Sequence, residues 1–176
     1  MKITTLCLIF ISSVIYSQND NLPDKWENFK FLIGRWEGTG TGKFGDSRVE
    51  REYTYFMDST YLLGKNKSVY EKQDKNPEGE IHISWDIYSY DKYRKKFVIR
   101  QFHEEDITNT YSADSSDISD GQYEFISESI ENFMPGWKAR EVYNKLNDDE
   151  FVEIFYLAPP GKEYSEFIRN TFKRLN

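Results

Sequence analysis

The chain has 176 residues, the length of one domain, with 23 basic and 30 acidic side chains and a formal charge of −7. That acidic balance, without clustered Lys and Arg, argues against nucleic acid and against anionic membrane surfaces as partners. Its 13 Tyr, 13 Phe and 4 Trp favour strands, because aromatic side chains suit a pleated, half-buried surface, and the same side chains line ligand cavities.

The first residues read as a signal peptide. Lys2 supplies the positive end, and Ile3 to Val14 is an apolar stretch too short to span a bilayer. Ser17 is a suitable residue for the cleavage point, ahead of polar Gln18, Asn19 and Asp20. The expected organisation is a signal peptide at 1–17, an N-terminal segment with a short helix at 18–33, and a barrel domain at 34–176. The protein is then expected outside the cytoplasm, in the periplasm or beyond the cell. Cys7 is the only cysteine; it follows Leu6, too early and in the wrong context for a lipid anchor, and it leaves with the signal peptide. The mature chain is therefore expected to stand on its core, without disulfides. No later segment reaches transmembrane length, so no membrane span is expected.

Asp24 to Ile33 reads as a helix of two to three turns. Pro23-Asp24 starts it, and it ends at Gly34. Beyond Gly34 the period changes to two. Trp36 alternates with Gly38, Gly40 and Gly42, so one face of the first strand is nearly bare. Val49 to Met57 and Tyr61 to Tyr70 follow as strands, then a polar turn from Lys72 to Glu80. Ile81, Ile83, Trp85 and Ile87 alternate with His82, Ser84, Asp86 and Tyr88. Phe97 to Phe102 and Thr108 to Ala113 come next, followed by Tyr123 to Ile130, Trp137 to Leu146, Phe151 to Leu157 and Tyr164 to Phe172.

About ten strands joined by short turns describe an antiparallel up-and-down meander, which closes into a barrel to remove its edges. Crossover helices have no room, so a parallel sheet is excluded. The rival is a β-sandwich, which no long return connection supports. The expected fold is thus an all-β, roughly ten-stranded antiparallel barrel with one short N-terminal helix. Gly34 and Trp36 are assigned to the plug of one barrel end, with Arg169 or Arg174 from the last strand over the indole face.

The run Phe31-Leu32-Ile33-Gly34-Arg35-Trp36-Glu37-Gly38-Thr39-Gly40, followed by this meander, resembles the calycins, the lipocalin and fatty-acid-binding-protein-like barrels. Within them it is nearest to the nitrobindin-like heme-binding barrels and related exported bacterial domains. Tyr88-Ser89-Tyr90-Asp91 through Arg100-Gln101-Phe102-His103 shares that resemblance. The resemblance implies heme as a possible cofactor, held by a histidine near the C-terminal end. Here the last strand reads Phe167-Ile168-Arg169-Asn170-Thr171-Phe172 and has no histidine, so heme is not carried over and the cofactor stays open.

The candidate ligand-binding residues are Arg100, His103, Glu141, Tyr143 and Glu153. Arg100 alternates with Val98 and Phe102. Glu141 shares a face with Trp137, Ala139 and Tyr143, and Glu153 with Phe151, Phe155 and Leu157. A charge among apolar neighbours is paired or faces a wet cavity, and Arg100 with Glu141 or Glu153 is the expected pairing. His82, Asp86 and His103 are too sparse to read as a metal site, so no metal is assigned. No nucleophile elbow and no phosphate loop is present, so no catalytic residue is assigned. The expected function is an exported binder of a hydrophobic or amphipathic small molecule. The alternatives are an interaction barrel with a filled core, or an enzyme using an inward carboxylate such as Glu141 or Glu153.

Overall fold

The computed structural model describes residues 25–116, 118 and 121–175. The signal peptide expected at 1–17 lies outside these residues. Ten strands follow one another: β1 (Gly34–Gly42), β2 (Gly45–Phe56), β3 (Tyr61–Tyr70), β4 (Glu80–Asp91), β5 (Lys96–His103), β6 (Thr108–Asp114), β7 (Gln122–Glu131), β8 (Lys138–Lys145), β9 (Glu150–Ala158) and β10 (Ser165–Leu175). Each pairs antiparallel with its chain neighbour, and β10 returns to β1, so the sheet is a closed barrel. Among the described residues no helix is long and apolar enough to cross a membrane.

The helix expected over 24–33 is shorter and tighter than an α-helix: a 3-10 helix, Glu27–Leu32. The cause lies in its apolar spacing. Trp26, Phe29 and Leu32 recur every third residue and are all buried, which matches three residues per turn. They enter one barrel end together with Trp36, whose indole N–H donates to Leu32 O at 2.7 Å. Gly34 has φ +123°, a conformation side chains rarely adopt, and a Cβ there would meet Arg174 Nη1 at 2.9 Å.

Arg174, not Arg169, covers the indole, with its guanidinium carbon 4.1 Å from the Trp36 ring centroid. The same guanidinium donates to Ile33 O and Phe31 O at 2.7 Å each, so it also satisfies carbonyls at the end of the 3-10 helix. Arg169 instead pairs with Glu166 on the outer surface.

The bare glycine face of β1 allows the two ends of the sheet to meet closely. A Cβ on Gly38 would lie 1.9 Å from the Thr171 carbonyl oxygen. The closure between β1 and β10 therefore depends on hydrogen at that position.

Strand β4 is inside out relative to simple hydrophobic patterning. Ser84, Asp86 and Tyr88 are buried inward, while Ile81, Ile83 and Trp85 are exposed on the outer surface. Trp85 lies opposite Phe102 of β5 and has the Lys65 ammonium over its ring at 5.6 Å. Alternation specifies two faces but not which of them is the inner one.

Gly38→Ala is expected to lower the unfolding free energy by about 3 kcal/mol, since a backbone atom must move. Gly161→Ala is a control: its φ is +69° with nothing near its missing Cβ, so the cost is about 1–2 kcal/mol from backbone conformation alone. Urea melts of the two variants check the order.

Candidate functional site

The barrel interior has two parts. At the helix end it is packed with rings: Trp36 meets Phe151 edge-on at 4.7 Å, and Phe151 stacks on Phe172 at 4.6 Å. Above Phe172 lies the Arg51 guanidinium, 5.1 Å from that ring, and from there the interior becomes polar. Beyond this polar layer a cavity of about 310 Å³ opens at the opposite end. Its walls near the mouth are apolar, including Phe133, Phe155 and Phe167, and its floor includes Arg51, Asn66, Gln101, Glu141, Glu153 and Asn170. A depression of about 550 Å³ lies outside, beside the 3-10 helix, among Glu27, Lys30, Lys145 and Asp148. It is separate from the buried polar residues, so the chemistry belongs to the interior cavity.

The floor is built on period two. Arg51 shares the inner face of β2 with Val49 and Tyr53, and Glu153 shares that of β9 with Phe151. Arg51 Nη2 donates to Glu153 Oε2 at 2.9 Å, with both side chains nearly fully buried. Asn170 donates to the same carboxylate oxygen at 2.8 Å. Burial alone lowers the Arg51 pKa, but the Glu153 charge beside it, with lesser contributions from Tyr53 and Asp86, raises it above its ordinary value. The guanidinium is charged at every working pH.

Two further carboxyls lie in this layer without an arginine partner. Burial raises the Glu141 pKa to about 8, and the negative charges of Glu153 and Asp86 add to the shift. Gln101 Nε2 donates to Glu141 Oε1 at 2.8 Å, and Tyr143 donates to its Oε2 at 2.9 Å. Tyr143 and Tyr88 hydroxyls are in turn 3.0 Å apart. Asp86 is raised by burial to about 7 despite accepting from Asn66 Nδ2 at 2.7 Å. One arginine thus faces three carboxyls, and the site relieves the excess by holding Glu141 largely protonated near neutrality.

At the mouth, His82 and His103 come together from β4 and β5. His82 Nε2 and His103 Nδ1 are 3.1 Å apart, and His82 Nδ1 is 2.6 Å from Glu105 Oε1. His103 Nε2 is 3.1 Å from Asn109 Nδ2, which also donates to Gln101 Oε1 at 3.2 Å. Burial, reinforced by His82, lowers the His103 pKa to about 4, so its imidazole is neutral.

Of the five residues singled out from sequence, His103, Glu141, Tyr143 and Glu153 point inward; the first three join one hydrogen-bonded chain through Gln101 and Asn109, and Glu153 bonds to Arg51 and Asn170 beside it. Arg100 does not point inward. It is exposed on the outside of β5, where its Nη1 donates to Ser89 Oγ at 3.2 Å. The pairing expected between Arg100 and Glu141 or Glu153 is replaced by Arg51 with Glu153. The reason is register: on β5 the inward set is Phe97, Ile99, Gln101 and His103, so Arg100 falls on the other face. Arg51, the interior cation, lies between Val49 and Tyr53 and carries the same alternation signal as Arg100, so alternation does not tell the two arginines apart. Asn66, Asn109 and Asn170 carried no such signal, because an amide on a strand reads as surface.

The heme implied by the family resemblance does not fit. The residues of β10 that line the cavity are Phe167, Ile168 and Asn170, and Asn170 is committed to Glu153. The only two histidines in the chain stand on β4 and β5 at the mouth, hydrogen-bonded to one another, and neither is near the C-terminal end.

The fold and cavity define a ten-stranded closed antiparallel barrel with a plugged end and a polar-floored pocket. A crystal structure of Rv2717c from M. tuberculosis shares this fold, with a TM-score of 0.66 over 88% of this chain and 98% of that one at 15% sequence identity. A redesigned β barrel, b11L5F_LGL, matches with a TM-score of 0.44 at 9% identity over 83% of this chain and 93% of that one. No protein-family model matches the chain, and no curated protein matches it in sequence.

Arg51→Met leaves Glu153 buried without its cation and is expected to cost about 3–5 kcal/mol, whereas the double variant with Glu153→Gln recovers most of that loss in urea melts. The raised carboxyl pKa values also set a pH dependence. The unfolded chain releases the Glu141 proton near pH 4.5, while the folded protein holds it to about pH 8, so stability falls as pH rises through that window. Glu141→Gln should make the fall between pH 4.5 and 8 shallower, leaving the part owed to Asp86, whose carboxyl is raised to about 7; an unchanged slope contradicts the assignment.

Proposed function

We propose that the chain is an exported, calycin-like binding protein that holds a small amphipathic molecule in its barrel. The observation that carries this reading is the 310 Å³ cavity, with an apolar wall at its mouth and hydrogen-bonding groups gathered on its floor. A barrel serving only as a scaffold gains nothing from a buried polar layer, which costs stability relative to an apolar filling. Export rests on the leader pattern of Lys2, the apolar stretch Ile3 to Val14, and Ser17.

The floor favours a head group that donates hydrogen bonds. Its single cation is already engaged by Glu153, and Asn66, Gln101, Asn109 and Asn170 line the cavity with amides. Glu80 and Glu105 add acidic side chains at the mouth. An alkylamine or a hydroxyl-bearing apolar molecule suits this surface better than a carboxylate does.

A second, enzymatic reading is favoured by Glu141, a carboxyl held protonated near neutrality and lining the cavity, which is the state a general acid requires. Native mass spectrometry of protein purified from its own source is expected to show a retained small mass. Conversion of that molecule on prolonged incubation supports the enzyme, and its unchanged release supports the binder. In thermal melts, octylamine is expected to raise Tm and octanoate to leave it unchanged. Ser68→Trp, which fills the cavity from β3, should abolish the octylamine effect. Equal stabilisation by octanoate refutes the head-group assignment.

A further inference from the structure

We propose that His82, His103 and Glu105 form a binding site for one divalent transition-metal ion at the mouth of the barrel. One donor atom from each of the three side chains lies within 4.8 Å of the other two. The spacing of the nitrogens is the sharper observation. Two imidazole nitrogens bound to one tetrahedral ion at about 2.05 Å sit about 3.3 Å apart. His82 Nε2 and His103 Nδ1 are already 3.1 Å apart, so they need to open by only a few tenths of an ångström to admit the ion.

The backbone holds the three residues in place. His82 and His103 stand on the inner faces of neighbouring strands, where the β4–β5 ladder ends with Ser84 opposite His103. The following turn is closed by backbone hydrogen bonds from His103 N to Ile107 O at 3.0 Å and from Asp106 N to His103 O at 3.1 Å. Glu104 N donates to Ile83 O at 3.1 Å and ties the turn to β4. These bonds bring Glu105 beside His82. Without an ion, the half-exposed Glu105 carboxylate holds His82 Nδ1; with an ion, it swings a short distance to become the oxygen ligand. Asn109 lies behind the other ring, with its Nδ2 3.1 Å from His103 Nε2; an ion on Nδ1 leaves the proton on Nε2, so the Asn109 amide turns its otherwise unpartnered oxygen toward that ring.

The donor set selects the ion. Two imidazoles and one carboxylate suit Zn²⁺, Co²⁺, Fe²⁺ or Ni²⁺, whereas Mg²⁺ and Ca²⁺ prefer oxygen alone. Glu80, which also lines the mouth, contributes negative charge that draws a cation in. His82, His103 and Glu105 all line the cavity, so the coordination positions they leave open face it. Asp86, which shares its strand face with His82, is not part of this site; it lies deeper and is bound to Asn66. The inference is independent of which organic molecule occupies the pocket.

The test uses the full mature protein, free of any histidine tag and treated with chelator, titrated with Co²⁺ and then with Zn²⁺. Co²⁺ is expected to saturate at one equivalent with visible ligand-field absorption that Zn²⁺ removes. His82→Asn and His103→Asn should each weaken binding by at least about 100-fold, and Glu105→Gln by about 10-fold or more. A readout on the unaltered protein guards against variants that fail to fold. The chain has only two histidines, so their ring resonances are readily followed, and both should shift together as Zn²⁺ is added. Lack of a saturable one-equivalent signal, unmoved histidine rings, or undiminished affinity in folded His82→Asn and His103→Asn variants overturns the proposal.

Discussion

The barrel depends on a single column of rings and cations along its axis. Arg174 covers Trp36, Trp36 meets Phe151, Phe151 stacks on Phe172, and Phe172 supports Arg51. The lower half of this column seals one end and anchors the 3-10 helix, because Arg174 and Trp36 together engage carbonyls of Phe31, Leu32 and Ile33. Its upper end carries the charge on which the polar floor is assembled. The plug and the pocket are two ends of one packed stack, so a displacement at Trp36 is passed through close-packed rings to the cavity floor.

That arrangement places a charged layer where a barrel of this size could have been filled with apolar side chains. Arg51 offers one positive charge to Glu153, Asp86 and Glu141, and the low polarizability of the interior makes an additional anion costly. The imbalance is resolved by protonation, chiefly at Glu141, and by amides from Asn66, Gln101 and Asn170 that bond to the carboxylates. The network continues through Asn109 to His103 and His82, so the floor and the mouth are linked by hydrogen bonds. A polar interior of this kind presents donors and acceptors already fixed in direction.

How much of this was legible in the chain varies residue by residue. The ten strands were legible because alternation and turn residues are local signals. Glu141, Tyr143 and Glu153 were legible as neighbours of apolar residues two positions away, and they do face the interior. Arg100 carried the same signal and faces solvent, while Arg51 carried it and was the true interior cation. On β4 the more hydrophobic face is the outer one, with Trp85 and Ile81 exposed and Asp86 buried. The helix was legible as a segment but not as a 3-10 helix, because its tight winding comes from fitting Trp26, Phe29 and Leu32 into one barrel end.

The amino-acid sequence by itself determined the strand count, the meander, the bare glycine face that permits closure, and the tryptophan that seals one end. Those properties follow from local geometry: side chains alternate along any strand, and a Cβ is either present or absent. Only the tertiary structure decided which face of each strand looks inward, that Arg51 rather than Arg100 meets Glu153, and that His82, His103 and Glu105 share one corner. Alternation is symmetric between the two faces, and the symmetry is broken only when ten strands close in a particular register and each inward side chain acquires partners from strands distant in the chain.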